Sequence, residues 1–295
     1  MRKQYILPLL MAILFISSCR KAGSHSKRYP EAEEIKEVME IHSDEEDMNE
    51  VPDVKSIMES TLDYTMPDSI KLICLPLPLS NVSEKIIHRK AYIVSYNKDT
   101  KNPNWVAWHL TGEHADGPYE RLNEFYEDEE IETPRATLAD YHRSGWSRGH
   151  MCPAGDNKWD EEAMHESFSL VNICPQDTRL NSGLWNSIEM NCRTWARRYG
   201  DIYIVCGPVY LNREHVTIGA NRVVVPEAFF KVVLCLNGTP KAFGIVVRNN
   251  SGQKKRDLYY NSVDEVERVT GMDFFHTLPD DIENEVEATA NIEEW

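Results

Sequence analysis

The sequence predicts an α+β fold in which a mixed, largely antiparallel sheet is flanked by helices. Short runs rich in β-branched and aromatic residues recur between residues 91 and 247, and clusters of turn residues separate them. One long segment between these runs, Asn181 to Arg198, has helical spacing. Because we find no internal repeat and no sign of a second domain, we expect one folded domain.

The predicted strands are apolar runs bounded by turn residues. They are residues 91–96, 105–110, 201–206, 229–236 and 242–247. The first two are predicted hairpin partners across the turn-rich segment 97–104. The third ends at Gly207-Pro208, and the last two are joined at Asn237-Gly238, a dipeptide typical of hairpin turns.

The N-terminus is typical of an exported protein. Met1-Arg2-Lys3 is basic, and the apolar run from Ile6 to Ile16 is too short to span a bilayer comfortably. Small residues directly before Cys19 resemble a bacterial lipoprotein signal, so residues 1–18 are predicted to be removed and Cys19 to be acylated. The alternative is an ordinary secretory signal in which Cys19 is incidental. A lipoprotein signal predicts a protein that is anchored by lipid in the cell envelope and faces the periplasm or the outside. An ordinary secretory signal allows the protein to be secreted.

The strong negative charge of the chain lies mostly at its ends. The formal net charge is −16, and residues 31–70 alone contain 14 acidic and two basic side chains. Residues 19–70 are therefore predicted to be an acidic, disordered tether, which leaves 71–295 as the folded domain. Once the +6 of residues 1–30, the −12 of residues 31–70 and the −7 of residues 280–295 are set aside, −3 remains for 71–279. Composition therefore does not exclude a polyanionic substrate.

Six cysteines remain after Cys19. They are Cys74, Cys152, Cys174, Cys192, Cys206 and Cys235. An even number in an exported protein is compatible with disulfides. Cys206 and Cys235 lie in apolar runs, where buried free thiols are equally compatible with the pattern.

The segment Ser147-Arg148-Gly149-His150 contains a candidate catalytic base. Its glycine and the following Pro153 suit a tight passage from a strand into a loop. A neutral imidazole near pH 7 can take a proton from water, which is the function of a general base. A histidine considered alone is more often a hydrogen-bonded structural residue, so His150 requires support from elsewhere in the chain.

That support comes from Asn181, Trp185 and Glu189, which follow one another at intervals of four residues. On a helix these side chains share one face. Each has a simpler explanation when taken alone: Asn181 as a helix N-cap, Trp185 as core and Glu189 as a solvated side chain.

Order and spacing together resemble the DNA/RNA non-specific endonucleases, the ββα-metal family that includes endonuclease G. The family pattern is Asp-Arg-Gly-His, then Pro-Gln, then Asn-x3-Trp-x3-Glu; here Pro175-Gln176 stands between the two segments above. The resemblance covers roughly residues 85–280. Further matching blocks are Asn104 to Thr111, Val205 to Pro208, Val225-Pro226, Phe230 to Val232 and Ser262 to Asp264.

The resemblance implies an Mg²⁺-dependent endonuclease that cleaves DNA and RNA, double- or single-stranded, with little sequence preference and leaves 5′-phosphate ends. His150 would be the general base, and Asn181 the single direct protein ligand to Mg²⁺. Glu189 would hold a metal-bound water, and Arg148 would face the phosphate. Mn²⁺ can replace Mg²⁺ in such a site because it also accepts oxygen ligands.

Two positions depart from the family pattern. Ser147 stands where the family has aspartate, and the loss of that charge predicts a lower His150 pKa than in the relatives. The family also places an arginine shortly after the Trp-Val-Ala strand. Arg121 lies in about that region and is a candidate, although a solvated loop residue is the simpler interpretation.

Two other functions are compatible with these residues. Ser147 favours a non-catalytic nucleic-acid-binding lipoprotein on the same fold. An envelope phosphodiesterase acting on small phosphodiesters would use the same histidine and metal. Cleavage and substrate comparison separate these alternatives from an endonuclease.

Overall fold

The computed structural model describes residues 75–252 and 259–295. The predicted signal peptide at 1–18, the acylation of Cys19 and the acidic tether at 19–70 lie outside these residues, as does Cys74. Within the described ranges, no helix combines the length and the apolar character that crossing a membrane requires.

A seven-stranded sheet forms the centre of the fold, with the strand order β1-β2-β3-β6-β9-β10-β11. Every neighbouring pair in it is antiparallel, which confirms the predicted α+β class. Its strands are β1 (Lys85–His88), β2 (Ile93–Asn97), β3 (Asn102–Thr111), β6 (Asp201–Val209), β9 (Ala228–Cys235), β10 (Lys241–Arg248) and β11 (Tyr260–Asn261). Two smaller two-stranded sheets pair β4 (Ser147–His150) with β5 (Ile173–Gln176) and β7 (Thr217–Ile218) with β8 (Val223–Val224).

Seven α-helical segments accompany the sheets in the described ranges. They are α1 (Gly112–Ala115), α2 (Leu138–Tyr141), α3 (Glu161–Glu166), α4 (Thr178–Leu180), α5 (Asn186–Tyr199), α6 (Val263–Thr270) and α7 (Asp280–Ala288). A π-helical turn at Asn181–Trp185 joins α4 to α5, and short 3₁₀ turns lie at Ala154–Asp156, Leu170–Asn172 and Ile292–Glu294. Ser262 caps α6 by accepting the Glu265 amide, and Gly271 ends it with a left-handed φ of 68°.

Helices cover both faces of the central sheet. Because strand side chains alternate, Val106 and Trp108 of β3 pack in one cluster with Trp185 and Ile188. Their neighbours on the strand face the opposite cluster, which contains Val263 and Val266 of α6. Burial on both faces explains why the central strands read as continuous apolar runs rather than as alternating ones.

The described cysteines are free thiols. Cys152, Cys174, Cys192, Cys206 and Cys235 are all buried and form no disulfide with one another. The buried-thiol alternative therefore holds for Cys206 and Cys235, and the other three are buried free thiols as well. Burial raises the pKa of the Cys192 and Cys206 thiols to about 12, so both remain protonated and unreactive at neutral pH.

Candidate active site

The β4–β5 ribbon carries the Ser147-Arg148-Gly149-His150 segment and leads directly into the helix that holds the other candidates. Ser147 pairs with Gln176 and His150 pairs with Ile173. Gly149 allows the strands to meet closely, because a Cβ at that position would lie 2.3 Å from Gln176 Oε1. Strand, strand and helix thus follow one another in the predicted order.

Two contacts join the ribbon to that helix. At the start of β4, Ser147 Oγ and Thr178 Oγ1 are 2.8 Å apart. At its end, the buried indole of Trp185 donates from Nε1 to the His150 carbonyl at 3.3 Å. Trp185 therefore has a role beyond core packing, because it fixes the backbone that presents the histidine.

Asn249 ties this unit to the central sheet. Its side chain accepts from the Asp177 amide at 2.7 Å and donates to the carbonyls of Pro175, at 3.0 Å, and Pro226, at 2.9 Å. The residue is 1% exposed, so these bonds are shielded from water. The junction between β5 and α4 is consequently held at the end of β10.

His150 lies in an aromatic pocket with a free ring nitrogen. The residue is 6% exposed, and its ring centroid lies 5.3 Å from that of Phe125 and 5.0 Å from that of Phe168. Nε2 is buried and has no hydrogen-bond partner among the described residues. Burial, followed by the charges of Arg121 and Arg148, lowers the pKa of His150 to about 3. The imidazole is therefore neutral and able to accept a proton across the physiological range.

Two arginines rest on the same aromatic pair. The Arg148 guanidinium lies 4.1 Å from the Phe125 ring centroid, and that of Arg121 lies 5.3 Å from the Phe168 centroid. Both arginines belong to the exposed residues, although burial lowers the pKa of Arg121. Arg148 and His150 are two residues apart on β4, so their side chains point to the same face of the strand. The structure thus brings Arg121, the weaker candidate from sequence, beside the histidine.

Asn181 begins the π-helical turn. It is not the N-cap of the helix, because the Asp177 side chain caps α4 by accepting the amides of Arg179, at 2.8 Å, and Leu180, at 3.1 Å. The simpler explanation of Asn181 as an N-cap is therefore wrong. Its half-buried carboxamide forms no hydrogen bond with the described part of the chain, which leaves the oxygen free for a ligand. Single π-helical turns occur frequently at functional sites.

Glu189 lies in the first turn of α5, on the same continuous helix as Asn181. Burial raises the pKa of Glu189 to about 7, while the charges of Lys231, Arg193 and Arg121 act in the opposite direction. The charge of Arg121 lowers the pKa of both Glu189 and His150, so these two side chains lie near the same guanidinium group.

Lys231 lies in the middle of β9, and the sequence pattern alone predicts no role for it. Its side chain is fully buried, and Nζ lies 4.7 Å from the Trp108 ring centroid and 4.8 Å from that of Trp185. Burial opposes its charge, but the surrounding thiols and the carboxylates of Glu189 and Asp156 raise its pKa. A lone lysine inside the apolar run Ala228–Cys235 is the sequence signal that marks it.

Asp156 and Arg193 form the adjoining ion pair. Arg193 donates from Nη1 to Asp156 Oδ1 at 2.8 Å, and Trp108 donates from Nε1 to Oδ2 at 3.1 Å. Asp156 is 3% exposed. This pair fixes α5 beside the loop that follows His150, which orients the Glu189 turn.

An open groove of about 550 Å³ runs along the outer side of β4. Its lining includes Ser147, Arg148, Arg143 and Trp146. Two guanidinium groups and an aromatic ring in one groove are suited to a phosphate-bearing chain.

A model of the DNA/RNA non-specific endonuclease family matches residues 77–281. Mitochondrial nuclease EXOG of Xenopus laevis is 37% identical over 209 residues, a match that covers 64% of this chain and 58% of that protein. Mitochondrial endonuclease G of Homo sapiens is 36% identical over 157 residues, covering 50% of this chain and 53% of the relative. The chain thus spans little more than half the length of these two relatives.

The solved structures show the same fold. A crystal structure of an EndoG/EndoGI complex aligns with a TM-score of 0.63 and 29% identity, covering 66% of this chain and 87% of that chain. The family match covers more than half of the sequence and includes the β4–β5 ribbon, the π-helical turn and α5. The chain belongs to the DNA/RNA non-specific endonuclease family.

Proposed function

We propose that this protein is an Mg²⁺-dependent endonuclease that hydrolyses phosphodiester bonds of DNA and RNA with little sequence preference. One observation carries the proposal. A neutral imidazole with an unpartnered Nε2 lies between two arginines, on a ribbon joined by hydrogen bonds to the helix that bears Asn181 and Glu189. Family membership supports the same activity.

His150 is the general base in this proposal. Its neutral imidazole accepts a proton from the water that attacks phosphorus, and the pocket of Phe125 and Phe168 holds the ring still. The guanidinium groups of Arg148 and Arg121 bind phosphate oxygens, a task for which their planar donors are well suited. Positioning and charge stabilisation provide most of the catalysis in phosphoryl transfer, so this small set of residues suffices.

Asn181 and Glu189 fit a hard divalent cation. The free carboxamide oxygen of Asn181 would bind Mg²⁺ directly, and the Glu189 carboxylate would hold one of the waters around it. When bound, the cation would stabilise negative charge on the phosphate and on the leaving oxygen. Lys231 and Arg193 favour the ionised form of Glu189, which opposes the effect of burial. Mn²⁺ would fit the same oxygen ligands.

The proposed substrate is a long polyanion. Arg148 and Arg143 line the groove beside β4, and contacts to phosphates position a nucleic acid without reading its sequence. This accounts for the broad specificity that we propose.

Lipid anchoring through Cys19 in the cell envelope is a further proposal, supported by the N-terminal sequence alone.

Plasmid nicking by the full chain tests the proposed function. We expect conversion of supercoiled DNA to open-circular and linear forms in Mg²⁺, degradation of RNA under the same conditions, and complete loss of both in EDTA. Binding without cutting would support the non-catalytic alternative. Preference for a small phosphodiester such as bis(p-nitrophenyl) phosphate over plasmid would support the envelope phosphodiesterase.

Restoring the family's acid by Ser147→Asp is expected to raise the cleavage rate by less than about tenfold. A carboxylate near His150 and Arg148 would raise the depressed pKa of the imidazole and make it a stronger base. The gain is limited because the Ser147 hydroxyl lies against Thr178 rather than against the imidazole. Initial nicking rates measure the effect, with Ser147→Asn as the uncharged control. An aspartate variant no faster than wild type would show that this account of the position is wrong.

A further inference from the structure

A group of three carboxylates lies on the sheet face opposite the β4–β5 ribbon. Asp264 and Glu267 belong to α6, and Glu287 belongs to α7. One carboxylate oxygen from each side chain lies within 4.8 Å of the other two. The family match ends at residue 281, so Glu287 lies outside it. All three carboxylates lie on α6 and α7, outside the ribbon and helix that carry the candidate catalytic residues.

Glu287 makes this group more than a cluster of surface acids. The residue is 7% exposed, and the buried Oε1 has no hydrogen-bond partner among the described residues. An unpartnered buried oxygen on a charged group is strongly unfavourable unless a cation or a proton compensates it. Glu267 already uses Oε1 to accept the Phe274 amide at 2.6 Å, which directs its carboxylate toward the same helix junction.

Within the described ranges, none of the ion pairs includes Asp264, Glu267 or Glu287. The charged groups that act on Glu267 and Glu287 are further acids, Asp273 and Glu283. Burial, reinforced by these charges, raises the pKa of Glu267 to about 7 and that of Glu287 to about 8. The unpartnered, buried Oε1 of Glu287 is therefore the oxygen that most needs a compensating cation.

We propose that Asp264, Glu267 and Glu287 bind a Ca²⁺ ion that fastens α7 to α6. Calcium takes six to eight oxygen ligands at about 2.4 Å, so three oxygens that all lie within 4.8 Å of one another can reach one ion. Magnesium usually keeps several waters and is held by one or two carboxylates, so a group of three carboxylates favours calcium. Exposed Asp264 leaves one side open to water, which completes the coordination.

Calcium binding to the full chain tests this site. The measurements use an Asn181→Ala background, so that the catalytic residues contribute no second ion. We expect equilibrium dialysis to give one bound Ca²⁺ per chain, and Ca²⁺ to raise the melting temperature by several degrees over the same concentration of Mg²⁺. No bound Ca²⁺ and no selective thermal shift would overturn the proposal.

Charge-removing variants locate the bound ion. Glu287→Gln and Asp264→Asn should each weaken Ca²⁺ binding by about tenfold or more and remove the thermal shift. Asp264 is exposed, so its variant tests the site even if a change at buried Glu287 prevents folding. Glu285→Gln removes a charge from an exposed position on the same α7 helix and should leave binding unchanged. Equal Ca²⁺ affinity in Asp264→Asn and Glu285→Gln would assign the ion to another site and overturn the proposal.

Discussion

His150→Ala is expected to lower the rate of plasmid cleavage by about 10²–10⁴-fold, the range typical of a lost general base. The buried imidazole presents an unpartnered Nε2 and has a pKa of about 3, so it is the neutral proton acceptor beside the two arginines. Plasmid binding should persist, because Arg148 and the groove beside β4 remain.

Initial nicking rates at saturating plasmid measure this effect, together with thermal melting to show that the variant folds. His165→Ala is the matched control, because His165 is an exposed histidine that stacks on Tyr126 instead of lying in the pocket. A His150→Ala rate within a few-fold of wild type would exclude the imidazole as the base.

The same imidazole predicts a pH dependence of stability. Folding lowers the pKa of His150 from the ordinary 6.5 to about 3. Between these two pH values the histidine is therefore protonated in the unfolded chain and neutral in the folded chain. The contribution of this group to stability is fully present above about pH 6.5 and is lost as the pH falls toward 3. His150→Phe should show a flatter decline in the free energy of unfolding over this range, measured by urea titration. Parallel curves for the two proteins would contradict the low pKa.

Lys231→Met is expected to destabilise the fold by about 3 kcal/mol, because removal of one charge from a buried group leaves its partners uncompensated. Nζ lies between the rings of Trp108 and Trp185 and opposes the raised pKa of Glu189. Without that charge, the pKa of Glu189 should rise further above about 7, so that the carboxyl becomes mostly protonated at neutral pH. Cleavage should therefore fall together with stability.

A second substitution separates these two effects. Lys231→Met combined with Glu189→Gln removes the uncompensated carboxyl, so stability measured by urea unfolding should partly recover. Activity should not recover, because the proposed water-holding group is lost. If the double variant is no more stable than Lys231→Met, the two side chains do not compensate one another and this account of Lys231 fails.

Sequence reasoning predicted the central strands because long apolar runs between turn residues carry a clear signal. The 229–236 and 242–247 hairpin corresponds closely to β9 and β10, which pair from Lys241–Cys235 to Arg248–Ala228. The outer strands β1 and β11 contain only four and two residues, which is too short for a periodic pattern. Their pairing depends on neighbours that are distant in the sequence.

In the helix after Pro175-Gln176, residue spacing alone does not predict the π-helical turn or the position of the N-cap. The four-residue spacing of Asn181, Trp185 and Glu189 predicts one regular helix, but residues 181–185 form a π-helical turn and Asp177 provides the cap. A π-helical turn changes the hydrogen-bond pattern without changing the residue types that periodicity detects. Tertiary contacts thus decide a local detail that the pattern leaves open.

The residues of the candidate site that lie close together in the sequence are predictable from it. A residue that reaches the site from a distant strand is not. His150, Arg148, Asn181 and Glu189 lie within one contiguous ribbon and helix, so an ordered motif identifies them. Lys231 reaches α5 from β9, more than forty positions after Glu189, and only burial between two tryptophans reveals its importance.

A double-variant cycle on His150 and Asn181 tests most directly whether the two residues serve one cleavage site. Residues that act as a unit show strongly non-additive effects on catalysis. We therefore expect His150→Ala, Asn181→Ala and the double variant to cleave plasmid at similar, very low rates in Mg²⁺. If the two single effects instead multiply in the double variant, or if Asn181→Ala cleaves as fast as wild type, the two side chains do not act on one phosphate and the central claim is wrong.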